Sequence, residues 1–379
     1  MEQEYTIDNS YLSPEAQKRK KDLEENPASR TNHMEYMDGM EVLDSDIKDK
    51  VRAAMQSYDY NAYTDADVRT ALANAKQGHC GIEDFKALLS PAALPHLEEM
   101  AALAQKERLA HFGDCVYIFT PLYIANYCEN YCVYCGFNCY NHIHRKKLTE
   151  AEMEAEMKVI ADSGIEEILM LTGESRAVSD VKYIGEACKL ARKYFRNIGL
   201  EIYPVNTDEY HYLHECGADY ITVFQETYNP DKYETLHLMG HKRVWPYRFD
   251  AQERALRGGV VSDSPLCWGS MITTQMLLQQ LCTYIIYSGN TRMQKCLFPV
   301  RVCARSSTTT RSTQRMSTKM SSARFYVLTG CSCHLQQSPF LPVRKRVSAT
   351  ASSASPQRRF PRVYRLVSAI TRKSTKHTK

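Results

Sequence analysis

Three cysteines lie close together in the middle of the chain, at Cys128, Cys132 and Cys135. Their spacing, C-x3-C-x2-C, places three thiolates on one short loop, where each can bind a different iron of a cubane cluster. Cluster ferredoxins use four cysteines, and structural zinc sites use four ligands. A set of three therefore leaves the fourth iron without a protein ligand and free to bind a small molecule.

On the residues alone, two other interpretations of these thiols stay open: buried structural thiols, or zinc ligands that would bind zinc without iron or sulfide. The chain has 14 cysteines, which could also indicate a disulfide scaffold. However, residues 1–5 are acidic and include no apolar signal region, and no apolar run reaches the ~18 residues that cross a membrane. We therefore expect a reduced, cytoplasmic, oxygen-sensitive protein.

Two further polar segments follow apolar runs. They contain Thr172, Gly173 and Glu174, and then Gln225, Glu226, Thr227 and Tyr228. A carboxylate with backbone carbonyl groups can hold an ammonium group, and glycine lets the backbone approach closely. The alternative for the first segment is an ordinary turn with a solvated glutamate, and the alternative for the second is a structural role.

Apolar segments alternate with helical segments from residue 116 onward. We predict strands over residues 116–120, 168–171, 200–204 and 220–224. Strands separated by helical crossovers of ~10–15 residues imply a parallel sheet. In barrels of this kind, chemistry gathers at the carboxyl ends of the strands. All three candidate motifs follow a predicted strand, which supports a functional interpretation of them.

Residues before the sheet are expected to be helical or polar. Over residues 51–112 we predict a helical region, in which Thr64 and Asp67 form a capping box and Ser90 caps a later helix before a proline. Residues 1–50 are polar and charged, so we expect a solvated extension with one short helix.

The charge balance changes abruptly at Gly259. Residues 259–379 carry 19 basic residues and one acidic residue, whereas residues 1–258 carry 29 basic and 43 acidic residues. The net charge of the full chain is +4. Ser, Thr and Arg dominate this tail. One interpretation is a basic arm that binds nucleic acid, which salt-dependent binding would reveal. The other is a stretch translated outside the native reading frame.

Residues 123–128, 172–175 and 224–228 together resemble the tyrosine lyases of the radical S-adenosylmethionine (SAM) superfamily, and the resemblance extends over residues 50–258. The chain looks most like the 2-iminoacetate synthase family, which supplies dehydroglycine for the thiamine thiazole. The alternative within the superfamily is the tyrosine lyase of iron-iron hydrogenase maturation. That enzyme carries a second cysteine cluster, which Cys331 and Cys333 fit poorly.

The resemblance implies an α/β fold, a partial (β/α) barrel of radical SAM type with an N-terminal helical region. Residues 113–258 would supply four of about six strands. It also implies a lyase reaction, in which a 4Fe–4S cluster reduces SAM and a 5′-deoxyadenosyl radical takes hydrogen from the amino group of L-tyrosine. The Cα–Cβ bond then breaks to give 2-iminoacetate and p-cresol.

For the cluster loop, the resemblance assigns Cys128, Cys132 and Cys135 as the iron ligands. The family motif ends there, so Cys139 is not expected to be a fourth ligand. The aromatic residue Tyr134 is expected near the adenine of SAM, with plain packing as the alternative.

For the strand ends, the resemblance assigns residues 172–174 to the methionyl amino group of SAM. Gln225 and Glu226 are expected to contact SAM or the substrate. His142 and Arg145 are weaker candidates, and we expect Arg145 to belong to a solvated basic face. No catalytic residue is assigned.

The resemblance implies L-tyrosine as substrate, a low-potential electron donor such as flavodoxin or ferredoxin, and thiazole synthase as a further partner. We expect neither a membrane nor a nucleic-acid partner. Codons for the usual continuation of the family, read one base out of register, spell residues 308–314. We therefore expect the tail to be out of frame and disordered or misfolded, with doubtful activity for this copy.

Overall fold

A computed structural model describes residues 11–112 and 118–263 of the chain. The helices of these ranges are α1 Pro14–Glu25, α2 Ile47–Gln56, α3 Asp65–Lys76, α4 Ile82–Leu89, α5 Leu97–Phe112, α6 Glu150–Asp162, α7 Val181–Ala191, α8 Thr207–Glu215, α9 Pro230–Leu236, α10 Trp245–Phe249 and α11 Ala251–Arg257. Short 3-10 helices lie at Pro27–Ser29, Pro91–His96 and His241–Arg243.

The strands form a parallel sheet and a small antiparallel pair. They are β1 Phe119–Ala125, β2 Tyr131–Cys132, β3 Glu167–Thr172, β4 Asn197–Glu201, β5 Tyr220–Thr222, β6 His237–Met239 and β7 Val261–Asp263. The parallel sheet has the order β1-β3-β4-β5-β7, and β2 pairs with β6. The predicted α/β fold with a parallel sheet is confirmed, and α6, α7 and α8 connect successive strands of that sheet.

Local sequence explains where several helices begin. The predicted capping box at the start of α3 is present, because the Thr64 side chain accepts from the Asp67 backbone and Asp67 accepts in return. The same reciprocal pattern joins Thr149 and Glu152 at the start of α6. By contrast, the Ser90 hydroxyl does not cap a helix, because it donates to the Ala87 carbonyl at 2.6 Å.

Three of the four strand predictions differ from the structure by more than one residue. β4 covers 197–201 where 200–204 was predicted, and β5 ends at Thr222 where residue 224 was predicted. The first strand begins later and runs on to Ala125, so the cysteine loop starts directly at its carboxyl end. The sheet also has a fifth strand, β7, which pairs with β5 in parallel and lies beyond the four predicted strands. The segment is too short to carry a period of its own, and its pairing with β5 places it in the sheet.

Buried apolar residues form two large cores. One joins helices α2–α5 to α9–α11, with Phe85, Leu88 and Tyr233 among its fully buried members. The other fills the space between the parallel sheet and helices α6–α8, around Ile168 and Met170. The second core fixes the strand ends, and with them the residues that follow each strand.

Most residues of 11–46 are exposed and the predicted short helix is α1, but residues 30–46 also bind to the rest of the chain. Arg30 forms an ion pair with Glu234 at 2.9 Å. The Trp245 backbone N–H donates to the His33 carbonyl at 2.9 Å, and Glu41 accepts from the Thr207 N–H at 2.6 Å. Residues 30–46 therefore run as a strap along the helices that follow the strands. The sequence did not indicate this packing, because the strap is bound by hydrogen bonds and an ion pair, and has no apolar pattern.

Residues 264–379 lie outside the described part of the chain, and so do the predictions made for the tail, including Cys331 and Cys333. The domain boundaries at residues 50, 112 and 258 stay predictions. Among the described helices, none combines the length and the apolar character that a membrane span requires.

Candidate active site at the cysteine loop

The three predicted cluster ligands lie on one loop between β1 and the turn after β2. Cys128 follows β1, Cys132 ends β2, and the Cys135 backbone N–H donates to the Cys132 carbonyl at 3.1 Å. All three are free thiols. Burial raises the pKa of both Cys128 and Cys132, so these two thiols hold their protons until a metal replaces them.

The far side of the loop is fixed by β6. The Val133 N–H donates to the Leu236 carbonyl at 3.0 Å, and Cys132 lies opposite His237 in the antiparallel pair. A loop that pairs with a second segment keeps its thiols in a defined arrangement before any iron binds.

Arg145 closes the loop from the other side. Its guanidinium donates to the carbonyl oxygens of Asn126 at 2.6 Å, Phe137 at 2.9 Å and Asn138 at 2.7 Å. The expectation of a solvated basic face is therefore wrong for this half-buried residue. Five N–H donors in one plane suit Arg for binding several loop carbonyls at once.

The two neighbouring candidates have structural contacts. Cys139 donates its backbone N–H to the Asn130 carbonyl at 3.0 Å, and burial raises the pKa of its thiol to about 11. His142 is exposed and stacks on Tyr11 with ring centroids 4.9 Å apart. Neither contact assigns chemistry to these side chains.

Gly173 brings the end of β3 against the cysteine loop. Its N–H donates to the Ala125 carbonyl at 3.0 Å, and a Cβ at this position would lie 2.7 Å from the Tyr127 carbonyl carbon. Real Cβ contacts of that length do not occur, so the close approach requires glycine. Next to it, the buried Thr172 hydroxyl finds no hydrogen-bond partner among the described residues.

Glu174 meets a buried guanidinium at the same strand end. Arg248 donates to its Oε1 at 2.7 Å, and the Asn130 amide donates to its Oε2 at 2.9 Å. Arg248 is 4% exposed, and its Nε also donates to the Phe224 carbonyl at 2.6 Å. An acid and a base side by side form a pair complementary to the ammonium and carboxylate of an amino acid.

The end of β5 adds a second buried ion pair. Glu226 binds the Lys242 ammonium at 2.8 Å, and both side chains are nearly enclosed. Burial acts to raise the pKa of Glu226, but Lys242 and Arg248 outweigh it and lower that pKa to about 2. Glu226 also has a positive φ of 64°, an uncommon backbone conformation that marks strain. Gln225, its buried neighbour, accepts from the Thr227 N–H at 2.7 Å.

Tyr134 extends from the cysteine loop toward His237, near the Glu226–Lys242 pair. Its hydroxyl lies 2.8 Å from His237 Nε2, although 47% of the residue is exposed. His237 is fully buried, and burial with the nearby Lys242 lowers its pKa to about 3. The neutral imidazole therefore positions the Tyr134 ring beside the cluster loop.

A cavity of about 110 Å³ opens beside Glu174. Its walls include Tyr203 and Tyr247, and the strap contributes Asp38, Gly39 and Met40. Arg176 lines it too and forms two hydrogen bonds with Glu209, at 2.7 and 2.8 Å. The strap is thus one wall of the site.

Three thiolates of a cubane bind three different irons, whereas a zinc site gathers its ligands around one ion. Over residues 11–112 and 118–263, no three His, Cys, Asp or Glu side chains gather around a point that would hold one metal ion.

The parallel β/α sheet with a three-thiol loop at its carboxyl edge is the arrangement expected of a radical SAM domain. Residues 122–272 match the Radical SAM superfamily, whose enzymes use a 4Fe–4S cluster and SAM. More particularly, the chain is homologous to 2-iminoacetate synthase, and is 38% identical to that of Escherichia coli over 200 residues.

The matched segment covers 53% of this chain and 52% of the E. coli enzyme, so the chain spans about half the length of the curated relatives it matches. The Salmonella typhimurium enzyme is 37% identical over the same length. The chain is also 31% identical over 163 residues to 3-methylornithine synthase of Methanosarcina acetivorans, covering 41% of this chain and 45% of that protein.

Among solved structures, the fold is similar to HydG, a maturase of the FeFe-hydrogenase. One HydG structure superposes with a TM-score of 0.65 at 22% identity, covering 77% of this chain and 66% of that one. The HydG of Carboxydothermus hydrogenoformans gives a TM-score of 0.64 at 20% identity, covering 78% and 70%. Likeness at this identity describes the fold alone.

The residues present fit the cofactors of the superfamily. Thiols are the ligands that iron–sulfur clusters take, and three are held on one loop. The Thr172 hydroxyl, which finds no hydrogen-bond partner among the described residues, lies at the strand end beside that loop. It offers a polar contact to a ligand that lies against the end of β3.

Sequence reasoning missed three buried side chains of the site, Asn130, Lys242 and Arg248. Each acts through a contact with a residue distant in the chain, and none belongs to a spacing motif. A buried Arg or Lys next to a strand-end acid is recognisable only when the fold places the two together.

Proposed function

We propose that the chain is a radical SAM lyase that cleaves the Cα–Cβ bond of L-tyrosine to 2-iminoacetate and p-cresol for thiamine thiazole synthesis. The observation that carries the proposal is the three-thiol loop held against the Glu174–Arg248 pair, in a domain homologous to 2-iminoacetate synthase. The hydrogen removed from the amino group leaves with 5′-deoxyadenosine, so the cleaved phenolic fragment needs one further electron and one proton to become p-cresol.

In this proposal Cys128, Cys132 and Cys135 hold the 4Fe–4S cluster. When bound, the cluster and SAM supply the 5′-deoxyadenosyl radical that removes hydrogen from the amino group of the substrate. The chain keeps the loop rigid through Arg145 and β6. Rigid support limits movement of the ligands between catalytic cycles.

The methionyl end of SAM is assigned to the end of β3. Glu174 would hold its ammonium and Arg248 its carboxylate, since the two side chains already present opposite charges next to each other. Thr172 supplies a hydroxyl that has no hydrogen-bond partner within the described part of the chain, and Gly173 keeps the backbone close. Both charged side chains are enclosed, so water competes weakly for either end of the ligand.

Tyr134, Gln225 and Glu226 would complete the cofactor site. Tyr134 offers a half-exposed ring for the adenine, which stacks on aromatic surfaces. Gln225 and the strained Glu226 present polar groups at the end of β5. The Glu226 carboxylate stays ionised, because Lys242 is bound to it.

The cavity beside Glu174 is proposed to receive the aromatic substrate. Tyr203 and Tyr247 give it aromatic walls, and Arg176 gives it a cation for a carboxylate. The strap residue Asp38 lines the same cavity and carries a charge opposite to that of Arg176. An aromatic amino acid carries the matching groups, an ammonium, a carboxylate and a ring.

Each turnover would need two electrons, a low-potential electron to cleave SAM and a second one to form p-cresol. We assign flavodoxin or ferredoxin as the electron donor and thiazole synthase as the protein that uses 2-iminoacetate. We place the protein in the cytoplasm, where iron–sulfur clusters and reduced thiols persist.

The test is an assay of anaerobically reconstituted protein with dithionite, SAM and L-tyrosine. We expect p-cresol, glyoxylate from hydrolysis of 2-iminoacetate, and 5′-deoxyadenosine. Phenylalanine, which lacks the phenol group, is the control substrate and should give no p-cresol. The triple variant Cys128→Ala, Cys132→Ala, Cys135→Ala should bind no cluster. A wild-type protein that binds zinc but no iron or sulfide would refute the proposal.

A further inference from the structure

Asn130 is the most enclosed polar side chain of the cysteine loop, at 1% exposure. Its Nδ2 lies 3.7 Å from Cys128 Sγ and 2.9 Å from Glu174 Oε2. Its Oδ1 accepts from the Lys242 backbone N–H at 2.9 Å. One amide therefore touches a candidate iron ligand, the candidate SAM-binding acid and the loop that carries Lys242.

The orientation of this amide is fixed by its partners. The Lys242 N–H can only donate, so the atom facing it must be the carbonyl oxygen of Asn130. The other end is then the NH2 group, whose two hydrogens meet a carboxylate and a sulfur, both of which accept. Reversing the amide would set oxygen against carboxylate and N–H against N–H.

We propose that Asn130 is a positioning residue that sets the reduction potential of the bound cluster and couples it to the SAM site. The inference rests on the proposed function, since it assumes a cluster on Cys128 and SAM at Glu174. A hydrogen bond to a cluster sulfur stabilises the electron-rich reduced state and raises the reduction potential. The second hydrogen of the same group holds the Glu174 carboxylate in place.

The amide has little freedom to move. Asn130 also accepts from the Cys139 N–H at 3.0 Å through its own carbonyl. Behind it, Gly240 has a φ of +94°, and a Cβ there would lie 2.8 Å from the Asn130 Cα. The fold thus leaves room for the Asn130 side chain only in the arrangement that reaches both acceptors.

Asn138 provides a matched control for charge. It is buried on the same loop, but its Nδ2 donates to the Cys135 backbone carbonyl at 2.8 Å and to no sulfur. Replacing either residue by Asp adds the same charge to the loop. Only Asn130→Asp also replaces the donor that faces Cys128 and Glu174.

The experiment measures the midpoint potential of the reconstituted full chain by redox titration followed by electron paramagnetic resonance, and SAM binding to the reduced protein. We expect Asn130→Asp to disfavour reduction about tenfold more than Asn138→Asp does, which is about 59 mV for one electron. SAM should bind about tenfold more weakly. Equal potentials in the two Asp variants would overturn the proposal.

A second pair of variants leaves the Asn130 side chain unchanged. Gly240→Ala should push the amide away from Cys128 and lower the potential in the same direction as Asn130→Asp. Gly164→Ala is the control, because Gly164 also has a positive φ, of +85°, but no atom lies within 4 Å of its Cβ position. A wild-type potential in Gly240→Ala would contradict the proposal.

The iron content of the variants and of the wild-type protein distinguishes a failure of the Asn130 proposal from a failure of the proposed function. When both Asn130→Asp and Gly240→Ala load no iron while their controls do, Asn130 serves folding alone and the proposal is wrong. When wild-type protein itself assembles no 4Fe–4S cluster, the proposed function fails as well. Loaded variants with a lowered potential support the inference independently of p-cresol formation.

Discussion

Gly173 joins the cysteine loop to the end of β3 through the closest backbone approach of the site. Its neighbour across the gap is the carbonyl group of Tyr127, one residue before Cys128. The cysteine loop and the segment 172–174 are therefore in close contact at this point, and a methyl group on Gly173 would force them apart.

We expect Gly173→Ala to lower both stability and iron loading, because the added Cβ forces the loop and the strand apart. Overpacking of this kind typically costs about 1–3 kcal/mol. Thermal unfolding and iron content of the reconstituted protein measure the effect. Gly136→Ala is the matched control on the same loop, since no atom lies within 4 Å of its Cβ position. Equal loading in the two variants would show that the approach is not required.

The Glu226–Lys242 pair makes a second residue-level prediction. We expect Glu226→Gln to destabilise the protein by about 3–5 kcal/mol, because it leaves the Lys242 charge buried without a partner. The double variant Glu226→Gln, Lys242→Met should recover much of the loss. Glu166→Gln, in an exposed pair with Arg196, is the control and should cost less than about 1 kcal/mol. Urea unfolding measures all four proteins.

The Glu226–Lys242 pair also makes the stability of the protein depend on pH in the acid range. The folded-state pKa of Glu226, about 2, lies below its ordinary value of 4.5. Its contribution to stability is therefore full above pH 4.5 and falls as the pH drops from 4.5 toward 2. Glu226→Gln should show a flatter decline in stability over that window than wild type. An identical decline in both proteins would assign the acid sensitivity to other carboxylates.

At the residue scale, the sequence predicts groups whose members are close together in the chain, and it does not predict contacts between residues that are far apart in the chain. The cysteines and the residues 172–174 are recognisable because their chemistry lies within a few neighbouring positions. Asn130, Lys242 and Arg248 were not predicted, because each acquires its role from a partner 16 to 112 positions away. Arg145 was misjudged for a different reason, because its acceptors are backbone carbonyl groups, which every residue carries and which no sequence pattern marks.

At the scale of elements, the cysteine loop behaves as a supported unit. β1 precedes the loop, the β2–β6 pair holds its middle at Cys132, and Arg145 joins its two ends through the carbonyl oxygens of Asn126 and Phe137. Supporting one loop from three directions explains how thiols on irregular backbone can keep a defined arrangement.

We expect Arg145→Gln to loosen this loop without unfolding the sheet. Hydrogen bonds from a charged group contribute about 1.5–3 kcal/mol each, and about 1.4 kcal/mol corresponds to a tenfold change in an opening equilibrium. Hydrogen exchange at the backbone N–H groups of Cys135 and Asn138 should therefore quicken at least tenfold. Arg196→Gln is the control, because the Arg196 side chain is 72% exposed. Unchanged exchange in Arg145→Gln would show that the loop holds itself.

Elements with strong local signals were predicted best. The predicted capping box at Thr64 is present, and β3 lies within a residue of its expected bounds at each end. β7 and the strap were not predicted. A three-residue strand and a polar segment bound by hydrogen bonds have no periodic apolar pattern, so only the assembled fold reveals them.

At the scale of the whole molecule, the charge asymmetry is the main unexplained property. Residues 1–258 have an excess of acids, and residues 259–379 have one acid against 19 bases. β7 continues the parallel sheet to Asp263, and the superfamily match continues to residue 272. The barrel-like part thus extends into the beginning of the basic segment, which bears on where a change of reading frame would lie.

We propose that the chain after this point is read out of frame, and we predict low lyase activity for the protein as given. Sequencing the coding DNA across codons 255–275 tests the first part, because a neighbouring frame should encode a continuation similar to 2-iminoacetate synthase. The frame-restored chain should then form p-cresol at least tenfold faster than the present chain at equal iron content. Matching iron content separates a missing part of the substrate site from poor cluster assembly. A single intact frame, or equal p-cresol formation by both chains, would contradict the prediction.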